Sequence, residues 1–137
     1  MGDFQLIDHT ADVGISATGR NLEEAFASVA EGMFSIIVEL EDVAEDECHE
    51  VQVNAPDIES LLVAWLNELL YLFDAEGIVF KRFQVSDLTE RSLKALCWGE
   101  QANSKRHRFK AGVKSATYHM LRVESNGIAK VQVILDI

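Results

Sequence analysis

The chain has 137 residues, with 12 Lys and Arg against 23 Asp and Glu. That length fits one domain spanning residues 1–137, and 48% hydrophobic residues supply an ordinary core without disulfides or a structural metal. A net charge of −11 excludes a surface that wraps nucleic acid, because neutralising phosphates needs clustered Lys and Arg; an RNA role would be local or indirect.

No basic-then-apolar leader opens the sequence, so a cytoplasmic protein is expected. Residues 3–7 and 13–18 read as short strands joined by the polar loop Asp8-His9-Thr10-Ala11-Asp12 and closed by Gly19. Asn21 and Glu24 have capping-box spacing, and Leu22, Ala25, Phe26, Val29, Met33 and Ile36 or Ile37 recur at helical intervals. Residues 39–50, carrying Glu39, Glu41, Asp42, Glu45, Asp46, Glu47 and Glu50, read as a solvated loop, with docking on a partner as the functional alternative. Residues 48–54 alternate as a strand. Cys48 within it and the distant Cys97 form no Cys-x-x-Cys pair and read as inert thiols of a reducing compartment.

Pro56 suits the first turn of a second helix, whose wide stripe of Ile58, Leu61, Leu62, Trp65, Leu69, Leu72 and Phe73 ends near Gly77. Its most apolar stretch, 61–66, is fenced by Glu59 and Glu68 and is too short to span a membrane. Four strands are expected beyond Gly77, at 78–85, 93–98, 112–123 and 128–137, with Asn126-Gly127 marking a tight hairpin between the last two. The order β-β-α-β-α-β-β-β-β predicts an α+β single-domain sandwich: two helices packed on one face of a mixed or antiparallel β-sheet. The repeated strand-helix-strand pattern hints at two related halves, although no repeat shows in the sequence itself.

The chain lacks a Gly-x-Ser-x-Gly elbow, a phosphate loop, a Gly-x-Gly-x-x-Gly turn and a His-Glu-x-x-His pair. What remains is carboxylates and histidines near the two ends, at 8–12 and 136–137. A chain ending at Ile137 directly after a strand would hold its terminal carboxylate in fixed geometry beside Asp136. Such oxygen ligands suit hard cations such as Ca2+, Mg2+ or Mn2+. Lys105, Arg106, Arg108 and Lys110 put four of the twelve basic residues within six positions, either as an exposed loop or as a contact for phosphate or an acidic surface. His119 lies on a strand whose alternation groups it with Val113, Ser115 and Thr117, a polar strip that faces solvent and makes His119 an ordinary surface histidine by position alone.

Five motifs occur in order: Asp8-His9-Thr10-Ala11-Asp12-Val13, Leu22-Glu23-Glu24-Ala25-Phe26, Trp98-Gly99-Glu100, Val113-Lys114 followed by Ala116-Thr117-Tyr118-His119, and Val133-Ile134-Leu135-Asp136-Ile137. Together the chain resembles the archease family from its first strand to its last residue. The resemblance implies a helper rather than an enzyme: an activator of the GTP- and manganese-dependent RNA-splicing ligase, promoting the ligase's guanylylation and multiple turnover. It also implies a divalent metal, calcium foremost, with Mn or Mg as alternatives, bound at Asp12, Asp136 and the main chain of Ile137. His9, Lys114 and His119 are then candidate contacts to the ligase. Gly112 replaces an acidic residue common in the family and Ser115 replaces an Ala, so no role is expected of a carboxylate before Val113. Two other readings are a chaperone of a tRNA cytosine methyltransferase, and a small metal-dependent hydrolase with Asp12 and Asp136 as ligands and His9 or His119 as base.

Overall fold

The computed structural model describes residues 2–8 and 12–137, the Asp8 side chain excepted. The elements run β1 (Asp3–Asp8), β2 (Asp12–Gly19), α1 (Leu22–Ile37), a 3-10 turn (Leu40–Asp42), β3 (Glu47–Asn54), α2 (Ile58–Glu76), β4 (Ile78–Ser86), β5 (Ser92–Gln101), β6 (Ser115–Glu124) and β7 (Ala129–Asp136). The α+β class and the element order are as the sequence implies. The strands divide between two antiparallel sheets, β1-β2-β7-β6 and β3-β5-β4, instead of running through one. The reason lies in the helices, each of which packs against strands of both sheets. Around α1, Ala25, Phe26, Val29, Ala30, Met33, Phe34 and Ile37 are all buried, an apolar surface too wide for one sheet to cover.

Local chemistry sets the helix ends. The Asn21 side chain accepts the Glu24 N–H at 2.9 Å, capping α1, while the Glu24 carboxylate reaches past the cap to the Arg20 N–H and guanidinium. Pro56 lies just before the cap of α2, not inside its first turn; Asp57 is the cap and accepts the Ser60 N–H at 2.7 Å. Helix α2 stops at Gly77, whose left-handed φ of 67° lets its N–H return to the Phe73 carbonyl. Trp65, fully buried, donates its indole N–H to the Phe26 carbonyl at 3.0 Å and so ties α2 to α1. The hairpin between β6 and β7 is present, but its turn is wider than a two-residue loop: Glu124 pairs with Lys130, and of residues 125–128 Gly127 alone has positive φ.

The acidic run does not float in solvent. Val38 bridges Phe109, the Glu39 N–H donates to Arg108 O at 2.9 Å, and the Lys110 N–H donates to Ile37 O at 2.8 Å. Arg108 forks onto Asp42 at 2.9 and 3.1 Å, and Lys110 lies 3.9 Å from Glu39. Two ion pairs, Arg108 with Asp42 and Lys110 with Glu39, therefore tie the basic island to the acidic run. No helix among the described residues is long and apolar enough to cross a membrane.

Candidate functional site

Strand β2 pairs antiparallel with β7 so that Asp12 lies directly opposite Asp136, and on the other flank of β7 Ser115 is opposite Asp136. One row across three strands thus carries Asp12, Asp136 and Ser115 at the end of the sheet. Alternation puts this row on the face opposite Val13, Ile15, Val133 and Leu135, away from the helices. The neighbouring row on that face holds Gly14, Ile134 and Thr117. Ile134 is fully buried, and a Cβ on Gly14 would come within 3.0 Å of it and 2.9 Å of Ile7, so the floor beside the carboxylates is close-packed.

Directly opposed side chains in such a pair have Cβ atoms about 4.5–5.5 Å apart, and two carboxylates there repel. No ion pair or side-chain hydrogen bond links either carboxylate to another described residue. The donor set, two carboxylates with main-chain oxygen nearby, fits a hard divalent cation, which would offset the repulsion. Among the described residues no third His, Cys, Asp or Glu joins them. The Lys114 N–H donates to the Asp136 carbonyl at 2.8 Å, which pins the end of β7; the exposed Lys114 side chain stands at the rim. His9 lies outside the described residues.

His119 does not continue the strip of Ser115 and Thr117. Thr117 pairs with Ile134 and Arg122 with Gln132, so four residues of β6 oppose the single Val133, and 118–121 bulge from the sheet edge. Met120 there has a φ of 53°. The apolar alternation of Ala116, Tyr118 and Met120 changes phase at Leu121 and Val123, which is the signal the sequence carries for this bulge.

A second polar cluster lies on β5. Glu100, 6% exposed, accepts the Ala44 N–H at 2.7 Å and the His107 Nε2–H at 2.9 Å, and pairs with Arg106. His107 Nδ1 accepts the Asn103 N–H at 2.8 Å, which places the proton of the neutral ring on Nε2. Burial pushes the Glu100 carboxyl up, yet these donors outweigh it and hold it below the ordinary carboxylate range.

A model of the archease protein family (MTH1598/TM1083) matches residues 4–137. The archease of Methanosarcina mazei is 41% identical over 139 residues, covering 98% of this chain and 95% of that protein. The chain belongs to the archease family. The solution structure of Methanobacterium thermoautotrophicum protein 1598 is 34% identical, with a TM-score of 0.83 and 98% of each chain covered. A crystal structure from Thermotoga maritima, described as an archease and possible chaperone, shares the fold at a TM-score of 0.61 and 24% identity, covering 97% of this chain and 96% of that one.

Three residues of the archease-like signature Trp98-Gly99-Glu100 have separate structural tasks. Trp98 carries the Arg82 guanidinium 3.6 Å from its ring centroid, and Arg82 in turn donates to Glu45 at 2.6 Å. Gly99 allows close strand approach, since a Cβ there would meet the Val79 carbonyl at 1.9 Å. Glu100 clamps the loop after β5. The clamp is not legible in the sequence, because its partners Ala44, Arg106 and His107 come from two loops far apart along the chain.

Proposed function

We propose that this archease-family protein is a non-catalytic helper that activates a GTP- and Mn-dependent RNA-splicing ligase, working through the carboxylate row at the end of the four-stranded sheet. The observation that carries this reading is the direct pairing of Asp12 with Asp136, which brings acids from both ends of the sequence to one spot. Asp12, Asp136 and the main chain of Ile137 would hold a divalent cation, calcium foremost. When bound, the cation would supply charge neutralisation between the two carboxylates. The chain's own residues set the geometry: the β2–β7 register aligns the two acids, and the Lys114 N–H fixes the Asp136 carbonyl. His9, Lys114 and His119 are the polar groups offered to the ligase.

The methyltransferase-chaperone reading would lean on the acidic and basic clusters. Arg108 and Lys110 are already paired with Asp42 and Glu39, which leaves less free charge on the basic island for a partner and favours the ligase reading. The test is multiple-turnover ligation by the cognate ligase with GTP and Mn2+, this protein being substoichiometric. Many turnovers only in its presence support the activator role. No change in turnover would contradict it.

A further inference from the structure

We propose that the bulge at Tyr118, His119 and Met120 is an apolar docking anchor for the partner protein, separate from the carboxylate row; this rests on the activator reading. Tyr118 is 61% exposed and Met120 50%, large apolar side chains on the outermost strand of the sheet. Solvated edge strands commonly carry charge there, whereas Tyr is enriched at contact hot spots and Met at adaptable ones.

The bulge is built, not frayed. The Gln132 side chain donates to the Met120 carbonyl at 3.0 Å. Thr117 donates its hydroxyl to Ile134 O at 2.9 Å and lies 3.4 Å from the His119 N–H. These props hold Met120 at a φ of 53°, a conformation side chains rarely adopt, so backbone strain is retained where it presents side chains outward.

The chemistry of the occupant follows from position. Thr117, at the root of the bulge, is one row from Asp12 and Asp136 on the same face. A partner must therefore offer an apolar cleft beside a patch that receives the carboxylate row and its cation, which is a protein surface. A second copy of this chain would bring a net charge of −11 against −11. A nucleic acid would meet the same net charge of −11.

The experiment measures ligase affinity by calorimetry and, in parallel, the concentration of this protein that half-saturates multiple-turnover ligation. The double variant Tyr118→Ala/Met120→Ala is expected to weaken both by about tenfold or more, with maximal stimulation at saturation and calcium affinity unchanged. Met120→Gly, which relieves the positive φ, is expected to weaken docking without lowering the melting temperature; a lowered one would mark a structural role and overturn the assignment. Unchanged affinity and half-saturation in the double variant would overturn it as well. Binding without stimulation by the wild-type chain would defeat the activator reading alone, leaving the anchor to be judged by affinity. No ligase binding by the wild type would defeat both. Sedimentation showing a dimer that the double variant abolishes, or an RNA mobility shift that it abolishes, would replace the protein partner by a second copy or by RNA.

Discussion

Glu100 satisfies a backbone N–H, a buried imidazole and a guanidinium with two oxygens. Truncating it leaves His107 and the Ala44 N–H unpaired, so Glu100→Ala is expected to cost about 2–4 kcal/mol in urea unfolding at pH 7. The acid side of the stability curve has the same origin. Glu24 is held at about 2 by hydrogen bonds from Arg20, and Asp42 and Asp57 are lowered by their bonds to Arg108 and Ser60. Carboxyls lowered on folding stabilise the chain above the unfolded value of about 4, and that contribution is lost as pH falls through the folded values. Stability should therefore hold at neutral pH and decline between about pH 4.5 and 2, with a shallower decline in Glu24→Gln. A wild-type curve rising over that acid range would contradict the assignment. Burial pushes the Cys97 thiol up to about 12 while Cys48 is exposed, so iodoacetamide should label Cys48 alone in the native protein.

At the scale of elements, both helices are legible from periodicity because helical spacing is a local signal: Asn21 and the stripe from Leu61 to Phe73 mark them through residues only three or four positions apart. Pairing is not local. Which strands share a sheet depends on contacts such as β2 with β7, and the phase change at Met120-Leu121 marks a bulge in β6 without telling how many residues it takes out of register. The interlocked loops escape sequence reasoning for a related reason: the acidic run and the basic island look like two solvated segments until Asp42 meets Arg108. Arg108→Ala should leave the sheets intact but free the loop at 102–114, read as faster trypsin cleavage at Lys105 and Arg106. Gly77→Ala should destabilise α2 by about 1 kcal/mol in thermal unfolding, since its left-handed φ suits glycine.

For the whole molecule, the two sheets and the helices between them bring the first and last long strands side by side, and so place acids from both ends of the chain in one row. The residue types of that row can be picked out in the sequence, and the family resemblance singles out Asp12 and Asp136. Their register cannot be read there, since one residue of slip would put Asp136 on the helix-facing side. The most direct measurement is ligase guanylylation and multiple-turnover RNA ligation with GTP and Mn2+, comparing the wild-type chain with Asp12→Ala and Asp136→Ala, each checked for an unchanged melting temperature. Loss of stimulation in both variants, together with loss of calcium binding by calorimetry, is the predicted result. Full stimulation by either variant would remove the carboxylate row from the mechanism.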